Sequence, residues 1–181
     1  MVRSGVGSGP LPWDDGIRVQ EARDFIMTPP SWLARFMDWL AARPTGQAVA
    51  VCFPSYRPDL VTDLAMATGL KLLDFRQSVM RPMGWNAGQL PLSSLNETVN
   101  AIHAAGQGVV LHNAEALLAV NDAGSRRRWL AEAMDHAWPQ RLILPMALFG
   151  HELPDKPAAI HTLAAAELPA ESLLTRLGSL S

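Results

Sequence analysis

Ala48-Val49-Ala50-Val51-Cys52-Phe53-Pro54-Ser55-Tyr56-Arg57-Pro58-Asp59-Leu60-Val61-Thr62-Asp63-Leu64-Ala65 is the stretch that decides the fold. Small and apolar residues run unbroken from Ala48 to Phe53, which predicts a strand buried on both faces. Pro54 to Arg57 make a tight loop. Pro58 suits the first position of a helix, whose N–H groups lack partners anyway, and Gly69 suits its left-handed stop. A buried strand passing through a short loop into a helix is the first half of a βαβ unit.

The same alternation continues outward. Leu70 to Phe75, Val109 to Leu111, Leu142 to Phe149 and Ala158 to Leu163 are further candidate strands. Between them lie a helix starting at Ser93-Ser94, with Leu95, Val99 and Ile102 on one face, and a helix from Arg126 to Trp138. Gln77 to Leu92 carries Pro82, Gly84, Gly88 and Pro91 and reads as an irregular excursion. A short helix from Pro169 to Leu177 closes the chain. Strands alternating with helices predict a three-layer α/β domain around a mainly parallel sheet.

Upstream, Thr28-Pro29-Pro30 marks a helix start. Trp32, Leu33, Phe36, Met37, Trp39 and Leu40 then recur at helical spacing, as either a core stripe or a docking face. Residues 1–12 are expected to be a Gly/Ser-rich flexible tail. Residues 13–181 form a single domain, with an N-terminal helical extension at 13–46 and a core at 47–181.

Composition limits the function. Hydrophobic residues make up 49% of the 181 and charged residues 18%, as in globular proteins. A net charge of −2 disfavours bulk nucleic-acid binding. One cysteine rules out an internal disulfide and a cysteine-rich zinc site. His103, His112, His136, His151 and His161 are scattered without metal-ligand spacing, so no metal and no cofactor are expected. No apolar run is long enough for a bilayer span, and Met1 to Pro10 lack the apolar centre of a signal peptide. The expected location is cytoplasmic, without membrane partners.

Laid over the decisive stretch, the phosphate-loop pattern G-x-x-x-x-G-K-[ST] falls on Cys52 to Asp59. Cys52 and Arg57 take the glycine places, Pro58 the lysine place and Asp59 the hydroxyl place. In Val109-Val110-Leu111-His112-Asn113-Ala114-Glu115, a resemblance to the P-loop NTPases puts His112 at the place of their magnesium-associated aspartate, followed by Asn113, and Glu115 near the place of their activating carboxylate. From Ala48 to Leu177 the order of elements resembles the P-loop NTPase core of AAA+ and STAND type, with degenerate motifs. Phosphate loops need glycines for close backbone approach, and Mg²⁺ needs oxygen ligands that His112 lacks. The resemblance therefore implies a nucleotide-site remnant at Ser55, Tyr56, Arg57, Asp59, His112, Asn113 and Glu115. The segment Asn113-Ala114-Glu115 in its apolar setting is also similar to the small P-loop protein of bacteriophage-exclusion clusters. That similarity implies a bacterial phage-defence or DNA-maintenance complex.

The expected role is a non-catalytic adaptor or assembly subunit with a protein partner or a second copy. Candidate contacts are Trp32, Phe36 and Trp39, and Arg126, Arg127, Arg128 and Trp129, because Arg and Trp dominate interfaces. The arginine cluster could alternatively contact nucleic acid. Nucleotide binding without hydrolysis is a second alternative. A third starts from Cys52: strand, Cys-Phe-Pro-Ser-Tyr-Arg, then helix resembles the active loop of rhodanese sulfurtransferases, which implies catalysis by Cys52 and Arg57.

Overall fold

The computed structural model describes residues 30–173 and 175. The expected tail and most of the extension lie outside them, as does much of the expected closing helix.

Five parallel strands form one sheet in the order β2-β3-β4-β1-β5. They are β1 (Ala48–Cys52), β2 (Lys71–Asp74), β3 (Val109–His112), β4 (Leu142–Met146) and β5 (Ile160–Thr162). Ala50 pairs with Leu144 on one side and with Ile160 on the other, so β1 is interior. The long helices are α1 (Ser31–Ala41), α2 (Pro58–Thr68), α3 (Ser93–Ala104) and α4 (Ala123–Asp135), and Glu115–Leu118 make a single helical turn. The sheet is all-parallel and helices cover both faces.

The pleat sorts the core into two layers, because successive side chains on a strand point to opposite faces. Ala48 and Ala50 join Leu111 and Leu144 beneath Leu95 and Val99 of α3 and Leu130 and Met134 of α4. Val49 and Val51 join Val110 and Ile143 beneath Trp32, Leu33 and Phe36 of α1 and Leu60 and Leu64 of α2. A strand whose neighbours alternate between two cores must be apolar at every position, which is why β1, β3 and β4 read as continuous runs.

Local signals set several boundaries. Pro58 opens α2, and Gly69 closes it at φ 66°. The helix expected from Arg126 begins earlier, at Ala123, because the Asp122 carboxylate accepts from the Ser125 N–H at 3.0 Å. It ends at Asp135, and the Trp138 N–H turns instead to the Gly46 carbonyl at 2.8 Å. Neither Ser93 nor Ser94 caps α3; Ser93 is its first residue. The run expected to stay extended to Phe149 leaves the sheet after Met146, where the Glu115 carboxylate takes the next three backbone N–H groups. β5 is shorter than expected because residues 157–159 form a 3₁₀ turn. The excursion after β2 is helical rather than irregular. It consists of a π turn (Arg76–Met80), a short turn (Arg81–Met83) opened by Pro82, and a 3₁₀ turn (Gly84–Gln89). Gly84, at φ 55°, takes the backbone where a helix cannot continue. No described helix is long and apolar enough to cross a membrane.

Candidate functional site

In an open parallel sheet, ligands bind outside the carboxyl ends of the strands where the direction of winding reverses. Here that place lies among the ends of β1, β3 and β4. From β1 the chain crosses to the far edge at β2 and then returns through β3 and β4. Phe53, Tyr56 and Arg57 after β1, His112 at the end of β3 with Asn113 and Glu115 after it, and Pro145 and Met146 of β4 with Ala147 beyond line a cavity of about 20 Å³. That is room for about one water, whereas ligand pockets run to several hundred Å³.

Side chains of the protein itself fill the remainder. The Tyr56 ring lies nearly parallel to His112, with centroids 5.8 Å apart and planes at 14°. Its hydroxyl donates to Asn113 Oδ1 at 3.1 Å, and Asn113 Nδ2 donates to Asp74 Oδ2 at 2.9 Å. Asp74 in turn accepts from the Gln77 N–H at 3.0 Å. A polar chain thus links the ends of β1, β3 and β2 to the turns beyond. Asn113 holds φ 58°, a left-handed backbone that asparagine tolerates better than most residues. His112 is buried, and burial pushes its pKa below the ordinary value against the opposing fields of Asp74 and Glu115. It is a neutral ring against which Tyr56 packs.

Arg57 is engaged by the protein itself in this arrangement. Its guanidinium grips Asp59 bidentately at 2.9 and 2.7 Å and also donates to the carbonyls of Pro169 and Ala170. The same bonds hold the Asp59 carboxyl below its usual range. Ser55 is exposed at the rim. Glu115 is buried, and its carboxylate accepts from the N–H groups of Ala147, Leu148 and Phe149 at 2.9, 2.8 and 2.8 Å. Those three donors would otherwise extend β4, which is why the strand stops at Met146. The geometry gives Glu115 the work of a latch between two strand ends.

Cys52 ends β1 half-buried, with Gly150 so close that a Cβ there would sit 3.0 Å from its sulfur. Burial raises its thiol pKa, the Glu115 field adds to this, and a hydrogen bond with Thr162 opposes it. A sulfurtransferase needs the reverse, a thiolate stabilised by positive charge. Arg57 is committed elsewhere.

The other candidate contacts divide. Trp32 and Phe36 are buried under the sheet, whereas Trp39 is partly accessible, stacked on Phe36 and Arg43. Arg126 pairs bidentately with the buried Glu152 at 3.0 and 2.6 Å and covers the Phe149 ring, and Trp129 is buried. Arg127 and Arg128 remain exposed. Asp74, Glu152 and Trp85 do not figure among the candidate site residues read from the sequence. The first two act through partners 39 and 26 residues away. Trp85 stood in plain view in a Pro/Gly-rich stretch, the one signal that could have found it. Among the described residues no group of three His, Cys, Asp or Glu side chains could hold a metal ion.

Comparison with protein-family models, with curated proteins and with solved structures finds no match for this chain.

Proposed function

We propose that the protein is a non-catalytic adaptor or assembly subunit, built on a P-loop-like core whose nucleotide site has been turned into structure. The observation that carries this is the closed carboxyl edge of the sheet. Tyr56, Asn113, Asp74, Arg57, Asp59 and Glu115 direct their polar groups to one another or to backbone, leaving about 20 Å³. Phosphate transfer needs donors and metal ligands aimed at the substrate. These groups aim at the protein. β1, which carries the Pro54 to Arg57 loop, also lies inside the sheet, between β4 and β5.

Calorimetric titration of the folded protein with ATP and ADP, with and without Mg²⁺, tests the reading. Silence at millimolar nucleotide is expected. Saturable heat that Arg57→Ala or Glu115→Gln abolishes would overturn it.

A further inference from the structure

Six large hydrophobic side chains are exposed among the described residues, and five of them stand beyond carboxyl ends of strands. Met83 and Trp85 follow β2, Tyr56 follows β1, Val120 follows β3 and Leu148 follows β4; Met66, on α2, is the exception. Trp85 is 102% exposed, free of contact on a helical turn rather than folded back on the surface. The loops that carry these residues are tied together. Tyr56 bonds Asn113, Asn113 bonds Asp74, and Glu115 bonds the N–H of Leu148. The strand ends from which the segments bearing these residues leave therefore form one built edge.

Charge on this edge is sorted. Four carboxylates here are used internally: Asp74 by Asn113 and Gln77, Glu115 by backbone N–H groups, Asp122 as a helix cap and Glu152 by Arg126. Arg76, Arg81, Arg127 and Arg128, by contrast, have no carboxylate at salt-bridge distance among the described residues. All four are exposed, and Arg81 donates only to the neutral side chain of Gln77 at 3.0 Å. The result is a surface both apolar and cationic in a chain whose net charge is −2.

We infer that this carboxyl edge docks a protein segment carrying carboxylates beside large apolar side chains, with the Trp85 indole as the anchor. The inference rests on the adaptor reading and gives that adaptor its surface. A protein fits better than a nucleic acid because Met83, Val120 and Leu148 are aliphatic and offer nothing to phosphates or to stacked bases. Trp85 stands on a 3₁₀ turn that fixes where its backbone presents the indole, and Trp and Arg are the side chains that most often carry interface energy.

The test is selection of random displayed peptides on the full-length protein, with the calorimetric nucleotide titration run on the same preparation. Selected peptides should pair Asp or Glu with aromatic or Leu residues. Their affinity should fall about tenfold or more in Trp85→Ala and in the double variant Arg127→Glu/Arg128→Glu, and stay unchanged in Met66→Ser. Circular dichroism confirms that each variant is folded. An absence of binders, binders lacking carboxylates, or binders indifferent to Trp85→Ala would overturn the docking surface. So would tighter, salt-sensitive binding of an oligo(dT) strand lost in the same variants. Nucleotide silence alongside any of those results leaves the adaptor reading standing with its surface elsewhere. Nucleotide binding defeats the adaptor reading whatever the peptides do.

Discussion

Tyr56 and Asn113, 57 positions apart, meet at 3.1 Å across the carboxyl edge of the sheet, with the phenol donating to the side-chain oxygen. Asn113 can take this place because its left-handed backbone turns the side chain back between Tyr56 and Asp74. Two requirements coincide at one residue: a tolerable positive φ, and an amide that accepts on one side and donates on the other.

Substitutions at Asn113 separate those requirements. Alanine loses both hydrogen bonds and incurs the left-handed penalty, for a loss of about 2 kcal/mol. Glycine loses the same bonds but relieves the backbone, for about 1 kcal/mol. Urea unfolding should therefore rank wild type above Asn113→Gly above Asn113→Ala. Alanine as stable as glycine would show that the positive φ is not held in solution.

The buried histidines set an acid limit. Burial lowers the pKa of both His103 and His112. Between the folded value and the unfolded value of about 6.5, the unfolded chain binds more protons, so stability rises with pH through that window and is lost as pH falls below about 6.5. Urea midpoints measured from about pH 8 down to 5 should decline in that range. His112→Phe keeps a ring against Tyr56 and removes the proton, so its decline should be shallower. An unchanged slope would mean that His112 is as accessible to protons folded as unfolded.

The fold was legible where one short stretch carried the whole signal. The runs in β1, β3 and β4 announce burial on both faces, and Pro58 and Gly69 bracket α2 by their own backbone restrictions. Boundaries set by distant partners were not legible. β4 looked extended to Phe149 because nothing near it in sequence says that Glu115, 32 residues back, takes its next N–H groups. The excursion after β2 misled because Pro82 and Gly84, which usually break regular structure, here begin and end helical turns. Helical periodicity in α1 could not say whether Trp32 and Phe36 faced a sheet or a partner, since both surfaces are apolar. Arg126 looked like Arg127 and Arg128 until Glu152 was seen beside it.

Cys52 should behave as a protected thiol. Its pKa lies above the ordinary value, chiefly through burial, so little thiolate exists at neutral pH. Iodoacetamide should modify the native protein at pH 7.5 about tenfold or more slowly than the urea-unfolded chain. Faster modification when folded would reveal an activated thiolate and return the sulfurtransferase reading to contention.

Glu115 distinguishes a structural edge from a catalytic one most directly. Its carboxylate takes three backbone N–H groups, two on Oε1 and one on Oε2. Glu115→Gln keeps the shape and the oxygen that serves Leu148 and Phe149, but presents an amide N–H₂ to the N–H of Ala147. Donor then faces donor in a partly buried place, and the charge that strengthened all three bonds is gone. The expected loss is about 2–3 kcal/mol in urea unfolding, with Glu115→Ala costing at least as much. A residue kept for activating water would behave oppositely, since catalytic carboxylates can often be neutralised with little loss of stability, or even a gain. A Glu115→Gln protein within about 0.5 kcal/mol of wild type would remove the latch and, with it, the explanation for the end of β4 at Met146.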